Sequence, residues 1–189
     1  MTARRIYEPK RDRLYELAVG QQGFFTTRQA SEVGVTTPYL DHYLDSGHVV
    51  RVGRGVYRLV RFPAGDQDDL IQVWLATARE GVFSHETALA LHQLSDILPA
   101  RIHMTLPPAW RRRKYPGDIE RHYTDLAPSE VWWIGAVPAT APLRTVEDCI
   151  AAHVSPELVR QALHQAQARG ILRDTEVSGL RERHGSTHF

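Results

Sequence analysis

Apolar residues recur at helical spacing along the first sixty residues and predict three helices. The first spans residues 11–21, where Leu14 and Ala18 lie one turn apart on the same face. The second spans residues 28–33, and the third spans residues 37–46. A glycine follows each segment closely, as is typical of helix C-termini.

The third helix has a well-defined start and two distinct faces. Thr37 precedes Pro38, and threonine is a favourable N-cap while proline fits the first helical turn. Leu40 and Leu44 lie four residues apart and are expected to face the core, with Tyr43 beside them. The side chains expected to face solvent are Tyr39, Asp41, His42 and Asp45.

Two short segments rich in β-branched and aromatic residues follow, at residues 49–52 and 56–59. The tripeptide Gly53-Arg54-Gly55 joins them and supplies glycine where a hairpin turn needs a positive φ. Helix, helix, short turn, helix and hairpin is the element order of a winged helix-turn-helix. The sequence therefore predicts that fold for residues 1–62.

The remaining residues, 63–189, predict a small α+β C-terminal domain. Pro63 and Gly65 mark the boundary between the two domains. Helices are predicted over residues 68–80 and 174–183. Further helices are predicted to start at Ser84, at Arg144 with Thr145 as its cap, and at Ser155. Strands are predicted over residues 101–106, 119–123 and 131–134. The fold class is thus α+β, with an N-terminal winged helix-turn-helix.

Composition favours a cytoplasmic protein with a core of its own. Of the 189 residues, 42% are apolar and 24% are charged, which argues against disorder throughout. The single cysteine, Cys149, excludes a disulfide framework. The N-terminus lacks the apolar region of a secretory signal, and the longest apolar stretch, residues 131–143, is too short and too rich in proline for a membrane span.

The two predicted domains differ in the sign of their charge. Residues 1–62 carry ten Lys and Arg against six Asp and Glu, whereas residues 63–189 carry 13 against 16. A basic small module beside a mildly acidic larger one favours contact between the first module and a polyanion such as DNA. Chance clustering of charge is the alternative.

A helix about 10–12 Å across fits the major groove of DNA, and a basic hairpin can reach the flanking backbone. The expected DNA-binding residues are Arg28, Thr36, Thr37, Tyr39, His42, Arg51, Arg54 and Arg58. Asp41 and Asp45 on the third helix would repel phosphate. They leave open a second interpretation, a protein-binding adaptor with a winged-helix fold that does not read DNA.

A second basic run lies in a proline-bounded loop of the C-terminal domain. It consists of Arg111, Arg112, Arg113 and Lys114, with Trp110 and Tyr115 on either side. One interpretation is a solvated hairpin tip. The other is a second contact with nucleic acid or a protein partner, with the aromatic rings available for stacking.

Motifs of catalysis and cofactor binding are not found in the sequence. There is no phosphate-binding loop, and His85-Glu86 begins a zinc-protease motif that fails because position 89 is leucine. His92 follows on the same helix face as His85, and core hydrogen bonding is the favoured role for both histidines. We therefore expect no enzyme activity, catalytic residues, cofactor or metal ligands; a hydrolytic enzyme is the least favoured hypothesis.

Three segments resemble the AbiEi family of antitoxins. They are the hairpin at residues 51–58, the segment at residues 83–92 that reads FSHETALALH, and the segment at residues 142–148 that reads PLRTVED. The resemblance thus runs through nearly the whole chain and rests on the order and spacing of short motifs. The two carboxylates of the third helix depart from the basic helix expected there.

The resemblance implies a type IV toxin–antitoxin system of abortive infection, a form of phage defence. Such a protein represses its own operon by binding inverted repeats in double-stranded DNA through the winged domain. Its C-terminal domain counters a nucleotidyltransferase-like toxin, functionally or by direct contact. The DNA contacts implied by the resemblance fall on the same eight residues named above. In a related arrangement, the same N-terminal part is fused to a C-terminal nuclease domain. The spaced carboxylate and lysine residues of such a nuclease are not found in this sequence, which argues against nuclease activity.

Overall fold

The computed structural model describes residues 3–113 and 118–185. These residues form two compact units, Met1–Arg79 and Glu80–Phe189, called here the front unit and the rear unit. The fold is α+β, as predicted, with a winged helix-turn-helix in the front unit. No helix in the described part of the chain is long and apolar enough to cross a bilayer.

The front unit contains four helices and a three-stranded antiparallel sheet of order β1-β3-β2. Its elements are α1 (Ala3–Val19), β1 (Phe24–Thr26), α2 (Thr27–Glu32), α3 (Thr37–Asp45), β2 (Val49–Gly53), β3 (Val56–Leu59) and α4 (Asp68–Ala76). The strand β1 was not predicted, because its three residues are too few to show an alternating pattern.

The three predicted helices and one face of the sheet share a single core. Its largest fully buried side chains include Leu14, Phe25 and Leu40, each no more than 2% exposed. Thr26 is the N-cap of α2 and forms a capping box with Gln29, which satisfies donors at the helix start. This core fixes the angle at which α2 and α3 meet.

The other face of the sheet is covered by α4, so the front unit extends beyond the predicted boundary at residue 62. Helix α4 contacts all three strands. Arg58 Nη2 lies 3.1 Å from Asp68 Oδ2 and donates to Pro63 O at 2.8 Å, and its guanidinium lies 5.2 Å from the ring of Phe24. The proline and glycine near residue 63 mark a turn inside the unit rather than a linker between units.

The rear unit is a five-stranded mixed sheet, of order β6-β5-β4-β8-β7, with four helices. Its strands are β4 (Val82–Phe83), β5 (Ile102–Leu106), β6 (Ile119–Tyr123), β7 (Val131–Ile134) and β8 (Val137–Thr140). Its helices are α5 (His85–His92), α6 (Pro142–Ala151), α7 (Pro156–Ala168) and α8 (Asp174–His184). Short 3₁₀ helices lie at Pro108–Arg112 and Pro128–Glu130.

The rear core lies among its helices, and the buried Cys149 belongs to it, as expected for a small apolar side chain. The expected cap at Thr145 is wrong. Helix α6 begins at Pro142 after an N-cap at Ala141. The Thr145 hydroxyl instead donates to the carbonyl oxygens of Thr140 at 2.8 Å and Ala141 at 3.0 Å.

We predict that Arg58→Ala lowers the free energy of unfolding by about 1–3 kcal/mol, because Asp68 then loses its partner in a largely buried position. Urea unfolding followed by circular dichroism measures the change. Arg51→Ala is the control, since Arg51 is exposed on the same hairpin, and it should shift stability by less than about 0.5 kcal/mol. Equal effects of the two substitutions would contradict the structural role of Arg58.

A second prediction concerns His92, whose Nε2–H donates to Thr140 O at 2.7 Å. Burial lowers the pKa of His92, so below its ordinary pKa of about 6.5 the unfolded chain takes up a proton that the folded chain does not. The free energy of unfolding therefore falls as the pH drops below about 6.5. The slope from one such histidine approaches ~1.4 kcal/mol per pH unit.

In His92→Gln the amide can keep the bond to Thr140 but cannot titrate. We expect a shallower loss of stability between about pH 7 and pH 5 than in the unmodified chain, measured by urea unfolding at each pH. Other buried histidines contribute equally to both proteins and cancel in the comparison. Parallel pH profiles for the two proteins would contradict the assignment.

Candidate nucleic-acid interface

The tip of the β2–β3 hairpin is attached to the start of α2. The Thr27 N–H donates to Gly55 O at 3.0 Å. Gly55 has a φ of 71°, and a Cβ built there would lie 3.4 Å from Thr27 Oγ1, so glycine suits both the turn and the close approach. The hairpin is therefore fixed against the helix-turn-helix.

This attachment brings three arginines to one corner of the front unit. Arg54 lies in the hairpin turn beside Gly55, and Arg28 follows Thr27 on α2; both are exposed. Arg51 is exposed on β2, and its Nε donates to Gly53 O at 3.3 Å, which holds it near the same turn. Arg28, Arg51 and Arg54 are called here the basic corner.

Within the basic corner, Arg28 is partly neutralised. Its Nε lies 2.9 Å from Glu32 Oε1, one helical turn away. The side chain is still 81% exposed, so water screens this pair and a phosphate can displace the carboxylate. Arg54 and Arg51 are exposed and have no ion pair within the described residues, so both hairpin cations are open to a phosphate.

The start of α3 is exposed at Thr36, Thr37 and Pro38. Thr36, rather than Thr37, is the N-cap, and its side chain makes no capping hydrogen bond. Pro38 has no N–H, and the N–H of Tyr39 donates to Thr36 O at 3.0 Å. The helix start therefore offers a phosphate chiefly the two threonine hydroxyls and not a row of free N–H groups.

Lys10 is a further cation near this turn and was not among the predicted site residues. A Cβ built at Gly34, between α2 and α3, would lie 3.5 Å from Lys10 Cε. Lys10 precedes Leu14 by four residues, so the helical spacing of α1 could have placed it beside the buried face.

The outer face of α3 carries His42, Asp41 and Asp45, all exposed as predicted. Tyr39 differs from the expectation, because it is half-buried against the core. The hydroxyl of Tyr43 donates to the Tyr39 hydroxyl at 3.0 Å, and their ring centroids lie 4.6 Å apart. Tyr39 thus presents only part of its side chain to the surface.

Arg58 does not join the basic corner. Its side chain is only 16% exposed and is held by the ion pair with Asp68. The expectation that it contacts DNA as a wing residue conflicts with this position, because Arg58 lies on the sheet face that α4 contacts and is held there by Asp68. From the sequence, an arginine on a strand near a turn is expected to be exposed. Only the position of α4 shows that Arg58 is covered.

The second basic run lies in the rear unit, at the end of a 3₁₀ helix. Arg113 contacts Glu80 at 3.6 Å and stacks over Trp110 at 4.5 Å, while Arg111 stacks over Tyr123 at 5.5 Å. Arg112 is exposed, and Lys114 and Tyr115 lie outside the described residues. Trp110 is 6% exposed and donates to Glu80 at 2.9 Å, so it is not available to stack on a base.

Three histidines of the rear unit come together, although none was expected to be a ligand. Each of His85, His103 and His122 offers a ring nitrogen, and these nitrogens all lie within 4.8 Å of one another. Burial lowers the pKa of His85 to about 3, with smaller contributions from His122 and His103. The pKa of His122 is lowered too, mainly by burial. Both rings are therefore neutral at pH 7.

The winged domain matches a known protein family. Residues 12–60 match the model of a family described as "Transcriptional regulator, AbiEi antitoxin". The resemblance to the AbiEi family is thus confirmed for the winged domain, whereas the similar segments at residues 83–92 and 142–148 lie outside this match and stay predictions. No curated protein matches the chain.

The chain is similar to a solved structure described as the crystal structure of RV2827C protein from Mycobacterium tuberculosis. The TM-score is 0.55 at 16% sequence identity, and the match covers 95% of this chain and 73% of that chain. At this identity the likeness is one of fold, and it extends over both units.

Proposed function

We propose that this chain, whose residues 12–60 match the AbiEi antitoxin regulators, is an antitoxin that binds its own promoter DNA and represses transcription. In this proposal the double-stranded operator contains inverted repeats. The rear unit counters a nucleotidyltransferase-like toxin, functionally or by direct contact. The system serves abortive infection against phage.

The hydrogen bond between Thr27 and Gly55 carries the DNA-binding part of the proposal. It sets Arg54 of the hairpin beside Arg28 of α2, so that two cations separated in sequence can neutralise neighbouring phosphates. The exposed hydroxyls of Thr36 and Thr37 add neutral donors at the start of α3.

The exposed face of α3 then meets the base edges. Its nine residues span about 14 Å, long enough to follow a few base pairs in the major groove. His42 can donate to or accept from a base, and the exposed part of Tyr39 can contact a thymine methyl or a phosphate. Asp41 and Asp45 reduce attraction along the same face, so the basic corner supplies most of the affinity.

A reporter for the chain's own promoter tests repression, and growth rescue of cells that express the neighbouring toxin tests neutralisation. The double variant Arg28→Ala, Arg54→Ala should lose repression and keep rescue, because both substitutions lie in the front unit. Loss of both activities in a folded variant would contradict this division. Full repression by the variant would favour an adaptor that does not read DNA.

We predict that Arg54→Ala weakens binding to all duplexes by about three- to tenfold and lowers the salt slope by about one phosphate contact. Fluorescence anisotropy across a salt series measures both quantities. Arg160→Ala is the matched control, because Arg160 is an arginine of the rear unit paired with Glu157. A loss confined to one DNA sequence would contradict a phosphate contact.

Asp41→Asn should strengthen binding to operator and scrambled DNA alike, by about two- to fivefold, because one exposed repulsion is removed. Asp125→Asn is the control, since Asp125 is exposed in the rear unit. Anisotropy titrations at low salt measure the change. Weaker binding to the operator alone would instead assign Asp41 to a cytosine amino group.

A further inference from the structure

We propose that His85, His103 and His122 of the rear unit form a binding site for one divalent transition-metal cation of the zinc class. The three residues come from the start of α5 and from the parallel strands β5 and β6. Imidazole nitrogens are ligands that zinc, cobalt and nickel accept readily. Neither the AbiEi match nor the proposed DNA binding accounts for this cluster.

The spacing of the nitrogens fits a common cation. His103 Nδ1 lies 3.2 Å from His122 Nε2. In a tetrahedral zinc site with Zn–N bonds of about 2.0–2.1 Å, two ligand nitrogens lie about 3.3 Å apart. The ring of His85 stacks at 3.5 Å from that of His122, and its ligand nitrogen lies within 4.8 Å of the other two, so the imidazole of His85 has to turn out of this stack to reach the same cation.

Two polar neighbours orient the rings for this role. Ser84 Oγ lies 3.0 Å from His85 Nδ1, which leaves His85 Nε2 as the ligand atom. Glu86 Oε2 lies 3.7 Å from His103 Nε2, on the side of the ring opposite the nitrogen that faces His122. A carboxylate behind a ligand histidine is the usual outer partner in zinc sites.

The charge around the cluster is compatible with a cation. Arg144, which acts electrostatically on His85, is bound to Glu130 at 2.7 Å and to Asp148 at 2.8 Å. Its positive charge is therefore opposed by two carboxylates, and Glu86 adds a third negative charge beside His103 Nε2.

Thr105 supplies a second, independent observation. Its side chain is 2% exposed, and among the described residues its Oγ1 has no hydrogen-bond partner. Thr105 lies two residues after His103, on the same face of β5, and is paired in register with His122. A water or small anion in the fourth metal position would give this hydroxyl its missing partner.

Such a cation would link three segments far apart in the chain. Residues 85, 103 and 122 lie on three different elements, and the unfolded chain does not hold them together. Binding to the folded state alone stabilises the rear unit, so the melting temperature should rise with the concentration of free metal.

The test uses the full chain without a polyhistidine tag, stripped with chelator. Titration with Zn²⁺ by calorimetry and with Co²⁺ by visible absorption should give one site per chain, with the intense bands of four-coordinate cobalt. His103→Gln and His122→Gln should each weaken binding at least ~100-fold, and Glu86→Gln about 10- to 100-fold. His164→Gln, an exposed histidine on α7, should leave binding unchanged.

Circular dichroism melts of the metal-free variants show whether each one folds. Absence of saturable binding by the unmodified chain overturns the proposal and leaves a metal-free, hydrogen-bonded cluster. Equal binding by folded His122→Gln, or loss in His164→Gln, also overturns it. Operator affinity measured on the same samples should not change in His103→Gln, so failure of the metal site is distinguishable from failure of DNA binding.

Discussion

The backbone hydrogen bond from Thr27 to Gly55 determines where the front unit presents its positive charge. A two-stranded hairpin is marginally stable in water by itself. Here β1 adds a third strand, and the bond fixes the hairpin tip to α2. The side chains of Arg28 and Arg54 are exposed, and the bond sets where each of them leaves the backbone. Exposed cations at fixed backbone positions suit contact with phosphates, which carry no sequence information.

The local signals in the sequence predicted the helix-turn-helix and the hairpin correctly, because period, capping residues and glycines act within a few residues of one another. The role of Arg58 could not be predicted in this way. Strand alternation places Arg58 on the face opposite Tyr57, but only the return of α4 decides whether that face is solvent or core. Arg58, which the sequence predicts to contact DNA, consequently forms a salt bridge with Asp68.

The histidine cluster was missed for a related reason. In the sequence, His85 is followed by Glu86, which suggests a helical motif. His103 and His122 are brought together by the parallel pairing of β5 with β6. Parallel strands are joined by long connections whose register no local pattern fixes. His92, which does share α5 with His85, donates to Thr140 and belongs to the core, as the sequence analysis favoured. The sequence therefore pairs His85 with His92, whereas the fold groups His85 with His103 and His122.

Asp41 and Asp45 fit the proposed repressor when the occupancies of the operator and of other DNA are compared at one protein concentration. Carboxylates on α3 weaken contact with every duplex, because phosphate is present in all of them. A favoured operator gains base contacts that other sequences lack. At a protein concentration that still saturates the operator, a penalty common to all duplexes therefore lowers the occupancy of weak non-specific sites more than that of the operator. The basic corner then supplies attraction at the edge of the interface, while the acidic face of α3 requires base contacts for stable docking. In the proposed repressor, this division of charge would allow a winged domain with a net charge of +4 over residues 1–62 to read DNA through an acidic helix.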